Sequence, residues 1–278
     1  MNFTDLIIVL VVSILCLLIV LGIYFAYKNN PCGICSEASR CSKKKRAKPS
    51  LVKNYYKCYG HHKKIQNIFL DFNGTILDDL DLCHKILNEL CQIANIPPIS
   101  VEEYIKIFGF PVKNYYESVG FDFNKMPYSF ISEHFNNNYS KRWRKETKLF
   151  KNFKKYIKKL KAEGFQIYII TASETELVNA QLKYFKIDKF FDGIASSSNK
   201  EANGKLEYTL DFIKKNNINI SKTIMMGDTL HDAEVARKIG VNCVLFSKGH
   251  NDIDRLNSTG LPVFSSYSEF YNYIEENR

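Results

Sequence analysis

Charge is what this sequence withholds first. From Leu6 to Tyr27 it has no charged residue, and from Lys28 to Lys64 it has a single acid, Glu37, among 11 bases. The uncharged run has the length of a helix that crosses a bilayer core at roughly 1.5 Å per residue. A cleaved signal peptide is the rival reading, but its apolar core is normally shorter and follows a basic segment. Here Met1-Asn2-Phe3-Thr4-Asp5 carries an acid and no Lys or Arg. Residues 1–27 are therefore expected to form a retained transmembrane anchor. Basic residues close to a span are held on the cytoplasmic side, so the expectation is a single-pass membrane protein with its C-terminal domain in the cytoplasm. Lys43-Lys44-Lys45-Arg46 is placed to meet anionic lipid headgroups, or serves only as a stop-transfer flank. Residues 28–64 lack a sustained apolar period and carry Pro31 and Pro49. They read as an extended, self-repelling basic linker rich in Cys and Lys.

The rest of the chain lacks a basic excess. The sequence holds 39 Lys+Arg and 29 Asp+Glu; without the 11 linker bases, Asp5 and Glu37, residues 65–278 keep 28 against 27. A pI of 9.0 thus reflects the linker, and no nucleic-acid partner is expected. A complete zinc site is missing too. Cys32-Gly33-Ile34-Cys35 has the spacing of half a site, with no second such pair. Acylation of Cys32 or Cys35 beside the membrane and unmodified thiols in a reducing cytosol are the remaining alternatives.

What is present from Ile65 onward is an α/β pattern without internal repeats. Short apolar runs at Ile68–Leu70, Gln166–Thr171, Gly193–Ser196, Thr223–Met226, Val241–Ser247 and Pro262–Ser265 alternate with helical periods. That alternation predicts a Rossmann-like parallel sheet with crossover helices. Lys151–Glu163, with Phe153, Ile157 and Leu160 on one face and Gly164 as its stop, is one such helix. Residues 80–148 interrupt the alternation with aromatic, helical sequence, broken once by Pro97-Pro98. An insert of that size is too long for a loop and predicts a small helical subdomain.

Four separated elements carry chemistry. Asp71-Phe72-Asn73-Gly74-Thr75 follows the first apolar run, and Thr171 ends the second. Lys205 precedes a helical period, and Gly227-Asp228-Thr229-Leu230-His231-Asp232 follows Ile224-Met225-Met226. Ligands of open parallel sheets bind beyond the carboxyl ends of the strands, so three of these elements converge on one crevice. Plainer readings stand beside these. Thr171 could cap a helix through Glu174 in capping-box spacing; Asp228 and Asp232 could cap the helix after them. Lys200 is an alternative to Lys205. Asp78, Asp79 and Asp81 read as a solvated helix start, and His231 as a bystander.

Order, spacing and strand context together resemble the haloacid dehalogenase superfamily of phosphatases and phosphotransferases over essentially all of residues 65–278. The insert resembles that family's helical cap. Phe108-Gly109-Phe110-Pro111-Val112, Tyr115-Tyr116-Glu117-Ser118-Val119-Gly120-Phe121 and the stretch Gly227–His250 are similar to its phosphoglycolate phosphatase-like branch. The resemblance implies a Mg²⁺-dependent phosphatase that acts through an aspartyl-phosphate on a small phosphorylated metabolite. Asp71 would be the nucleophile. Mg²⁺ would be held by Asp71, the main-chain carbonyl of Asn73 and Asp228. Asp232 would hold a metal-bound water or fix Lys205. Thr171, Thr75 and the main chain near Gly74 would bind the phosphoryl group, with Lys205 balancing charge.

One position departs from that pattern. Two residues after the nucleophile, where a second Asp usually serves as general acid and base, stands Asn73. An amide cannot give up a proton near neutral pH. A membrane-tethered, phosphate-binding pseudoenzyme is therefore the alternative to a hydrolase.

Overall fold

The computed structural model describes residues 64–197 and 205–277. The anchor, the basic linker with its cysteines and Lys43–Arg46 cluster, and Lys200 lie outside the described residues. Among the described residues no helix is long and apolar enough to cross a membrane.

Six parallel strands form the central sheet. They are β1 (Asn67–Leu70), β4 (Gln166–Glu174), β5 (Gly193–Ser197), β6 (Thr223–Gly227), β7 (Asn242–Phe246) and β8 (Val263–Phe264). Their order is β5-β4-β1-β6-β7-β8. The chain starts at β1, builds outward through β4 and β5, then returns to β6 on the other side. That reversal leaves a crevice beyond the carboxyl end of β1.

The sheet is covered on both faces, which explains why its strands read as continuous apolar runs. Ile68, Leu70, Ile167, Ile169, Ile224 and Met226 pack on one face. Phe69, Tyr168, Ile170 and Met225, one residue out of phase, pack on the other. The first face meets α5 (Phe153–Ala162) through Phe153, Ile157 and Leu160, and α10 (Tyr267–Glu276) through Tyr267, Phe270 and Ile274. The second meets α7 (Leu206–Lys215) and α8 (Leu230–Ile239). Each fully buried Phe, Leu or Ile contributes about 1.5–3 kcal/mol, so either face outweighs any single polar contact in the domain.

The insert leaves and re-enters the sheet domain through a short antiparallel ribbon, β2 (Leu77–Asp78) with β3 (Lys148–Leu149). Between them lie α1 (Leu80–Ile93), α2 (Val101–Ile107), α3 (Val112–Val119) and α4 (Tyr128–Glu146). Ser100 caps α2 in a capping box with Glu103, which places its start two residues after Pro98. Leu82, Ile86, Leu90, Ile131, Tyr139 and Trp143 form a core separate from those of the sheet. Ile93, in register with that face, is 47 % exposed because α1 ends there.

Candidate active site

The end of β1 delivers Asp71, the end of β6 delivers Asp228, and the first turn of α8 delivers Asp232. One oxygen of each lies within 4.8 Å of the others, and all three residues are buried. Lys205, the residue before α7, reaches between two of them. Its Nζ lies 2.6 Å from Asp71 Oδ1 and 2.5 Å from Asp232 Oδ1. The first contact is also a hydrogen bond; the second is an ion pair whose angle falls short of one. Lys205 is 3 % exposed, and its carbonyl accepts from the Thr209 hydroxyl one turn on.

The three carboxylates are not equivalent. Burial pushes against the charge of Asp232, but Lys205 and the Thr229 hydroxyl hold it below the ordinary carboxylate range. Thr229 N and Oγ1 donate to Asp232 Oδ2 at 3.0 and 2.7 Å. Asp232 thus fixes Lys205 and caps α8 in a capping box. Asp228 is pushed up to about 6 by burial, with His250 opposing and Asp232 reinforcing the shift. Burial also raises Asp71 well above its ordinary value despite Lys205. Asp71 and Asp228 are therefore the under-compensated pair. Counting Asp79, four buried carboxylates face two cations, Lys205 and His250, among the described residues. A divalent cation closes that gap, and hard oxygen donors select Mg²⁺-like ions. The backbone leaves room beside this pair: a Cβ on Gly74, whose φ is +71°, or on Gly249 would strike the Asp228 carboxylate. These residues fit the metal that the sequence implies.

Asn73 is held from three sides. Its Nδ2 donates to Asp79 Oδ2 at 2.6 Å and to the Tyr139 hydroxyl at 2.8 Å. Its Oδ1 accepts from the Ser173 hydroxyl at 2.7 Å. Asp79 in turn accepts from Gly74 N–H at 3.0 Å and the Tyr139 hydroxyl at 2.7 Å, and pairs with His250 Nε2 at 3.3 Å. Burial works against its charge, yet His250, Asn73 and Tyr139 lower its pKa. For His250 burial opposes protonation, but Asp79, Asp228 and Asp71 push it up to about 9. Reading Asp79 as part of a solvated helix start is thus incorrect: it is 1 % exposed, whereas Asp81 is exposed.

The other sequence-predicted residues fall as follows. Thr171 is buried at the cavity floor, and its Oγ1 accepts from Ser173 N–H at 3.2 Å. It does not cap the next helix, α6 (Thr175–Phe185), because β4 runs on and Glu174 holds that cap position. Thr75 donates its hydroxyl to Asp228 Oδ1 at 3.0 Å and orients that carboxylate. Gly74 N–H is shared between Leu77 O at 2.8 Å and Asp79. His231 stacks on Phe110 with ring centroids 4.6 Å apart and does not line the cavity. Sequence reasoning did not find Asp79, Tyr139, Ser173 or His250. The signal that could have exposed His250 is its place in Gly249-His250-Asn251, a polar turn directly after a buried strand.

A cavity of about 250 Å³ opens from Asp71, Asn73, Lys205 and Asp228 into the helical insert. A family model described as haloacid dehalogenase-like hydrolase matches residues 68–246. Pyrophosphatase PpaX, as it is named, from Caldanaerobacter subterraneus subsp. tengcongensis is 26 % identical over 185 residues, covering 65 % of this chain and 81 % of that protein. The phosphoglycolate phosphatase of Psychrobacter arcticus is 23 % identical, covering 75 % of this chain and 95 % of its own. Among solved structures, a haloacid dehalogenase-like hydrolase from Streptococcus pneumoniae superposes with a TM-score of 0.66 at 21 % identity, covering 76 % of this chain and 98 % of that one. A predicted phosphatase from Clostridium acetobutylicum has the same TM-score at 22 % identity and covers 76 % and 99 %. With the match spanning most of the sheet and the whole insert, the chain belongs to the haloacid dehalogenase-like hydrolases.

Proposed function

We propose that this hydrolase is a Mg²⁺-dependent phosphatase that cleaves small phosphate monoesters through a phosphorylated Asp71. The observation that carries this reading is the Lys205 bridge between Asp71 and Asp232, beside an Asp71–Asp228 pair that lacks its own counter-charge. An Asp71 oxygen attacks phosphorus, the bond from phosphorus to the leaving oxygen breaks, and that oxygen departs with the electron pair. Water then attacks the aspartyl-phosphate, releasing inorganic phosphate and restoring the Asp71 carboxylate. Lys205 offsets the repulsion between the carboxylate and the phosphoryl oxygens. Asp71, Asp228 and the Asn73 carbonyl would hold the cation, which neutralises phosphoryl charge when bound. Thr171 at the cavity floor is placed to position the phosphoryl oxygens.

Asn73 sets the chemistry apart. A general acid contributes typically about 10²–10⁴-fold, and an amide tied to Asp79, Tyr139 and Ser173 supplies no proton. The reading therefore favours esters whose leaving group departs as a stable anion. The test is phosphate release from acetyl phosphate by the full chain with Mg²⁺ or EDTA, beside Asp71→Asn. Turnover that requires both Mg²⁺ and Asp71 is expected. No turnover by the wild type would favour the phosphate-binding pseudoenzyme.

A further inference from the structure

We infer that the substrate is an aryl phosphate, with an uncharged aromatic leaving group seated in the helical insert. The inference rests on the phosphatase reading for the position of the phosphoryl group, and it draws on three features of the cavity. The first is composition. Tyr104, Phe108, Phe110, Tyr115, Tyr128 and Phe135 line the part of the cavity within the insert. Phe108 lies at their centre, stacked on Tyr104 at 5.3 Å and edge-on to Tyr115 at 5.1 Å. Aromatic rings prefer such offset and edge-to-face partners, so the wall is pre-shaped for one more ring.

The second feature is charge. Among the described residues that line the cavity, the cationic side chains are Lys205 and His250. Lys205 is occupied by Asp71 and Asp232, and His250 by Asp79. The insert contributes no Lys or Arg to this lining. A leaving group with its own carboxylate or second phosphate would be desolvated there without a partner, at considerable cost. The substrates named for the two curated relatives are of that anionic kind. The walls around this site differ in what they reward.

The third feature is an orphan donor. Tyr115 is 5 % exposed, and its hydroxyl has no hydrogen-bond partner among the described residues. A buried hydroxyl is ordinarily paired. This one lines the cavity beside Phe108 and offers a single hydrogen bond to a neutral polar substituent on the ring. Asn73 points to the same class by separate chemistry. A phenolate leaves far more readily than an alkoxide without a proton, so the site that lacks a general acid is also the one that accommodates a ring.

The test reads binding, so it is independent of turnover. Phenylphosphonate, methylphosphonate, phosphonoacetate and 2-aminoethylphosphonate are titrated calorimetrically into the full chain with Mg²⁺. Phenylphosphonate is expected to bind about ten- to a hundredfold tighter than methylphosphonate, the range for burying an aromatic side chain. Phosphonoacetate should gain nothing over methylphosphonate. Phe108→Leu should cut the phenyl advantage by roughly fivefold, as expected when a favourable ring pair is lost. Equal affinities, or tightest binding of phosphonoacetate or 2-aminoethylphosphonate, would overturn the inference. The acetyl phosphate assay stands apart: Asp71-dependent turnover with no phenyl preference rejects the aryl substrate and leaves the phosphatase reading standing. A phenyl preference without turnover does the reverse.

Discussion

Asn73 Nδ2 donates to Asp79 Oδ2 at 2.6 Å inside a cluster that solvent does not reach. The amide is thereby committed to a buried carboxylate. Replacing it with an acid does more than restore a missing proton donor, because Asn73→Asp sets two carboxylates against each other. Like charges at that distance cannot both ionise. Asn73→Asp should lose about 1–3 kcal/mol of stability, the cost of a broken buried hydrogen bond. The double variant Asn73→Asp, Asp79→Asn should recover most of it. Urea melts of the wild type, both single variants and the double variant give the coupling. Additive effects would contradict a direct contact.

Lys205 is the second residue whose removal is informative. Lys205→Met leaves Asp71 and Asp232 facing each other without the ammonium between them. Removing one partner of a buried ion pair typically costs about 3–5 kcal/mol, and loss of an electrostatic stabiliser costs about 10²–10³ in kcat. Lys200→Ala should stay within about twofold of wild-type kcat, since a shift of that size is under about 0.5 kcal/mol. Acetyl phosphate kinetics on both variants assign the role; a larger loss from Lys200→Ala would transfer it to that lysine.

The under-compensated Asp71–Asp228 pair predicts that Mg²⁺ stabilises the fold. A ligand at a hundred times its dissociation constant adds about 2.7 kcal/mol. Melting temperature should rise with Mg²⁺ in the wild type, fall back with EDTA, and respond little in Asp228→Asn. A response that survives Asp228→Asn would place the ion elsewhere.

The insert is latched to the sheet domain through one carbonyl. Arg255 Nη1 donates to Phe108 O at 2.7 Å and to Ile105 O at 3.1 Å, while Asn251 Nδ2 reaches Phe108 O at 2.9 Å. Hydrogen bonds from charged donors contribute about 1.5–3 kcal/mol. Arg255→Ala should therefore raise amide exchange around Ile105–Phe110 more than in α5, where the sheet packing is unchanged. Uniform acceleration across the domain would instead signal global destabilisation.

Much of this site is legible in the sequence because its parts ride on strand ends. Asp71, Thr171 and Asp228 each follow an apolar run, and all six predicted runs contain a strand of one parallel sheet. The helical nature of 80–148 was legible for the same reason, from its period. What was illegible depends on distant partners. Asp79 sits in the acidic run Asp78-Asp79-Leu80-Asp81 and reads as solvated; Tyr139, 60 residues on, and His250, 171 residues on, are what bury it. The ribbon between Leu77–Asp78 and Lys148–Leu149 is two residues per strand, too short to leave a periodic trace. The extension of β4 past Thr171 was missed because Ser173 and Glu174 are polar, and a sequence pattern ends a strand where its apolar run ends.

Trapping the covalent species tests the nucleophile most directly. The full chain is mixed with Mg²⁺ and phosphoryl-labelled acetyl phosphate, quenched in acid, digested and mapped by mass spectrometry. The expected result is a hydroxylamine-labile phosphoryl group on the peptide carrying Asp71, absent from Asp71→Asn. Label on another residue, or turnover that persists in Asp71→Asn, would contradict the aspartyl-phosphate route.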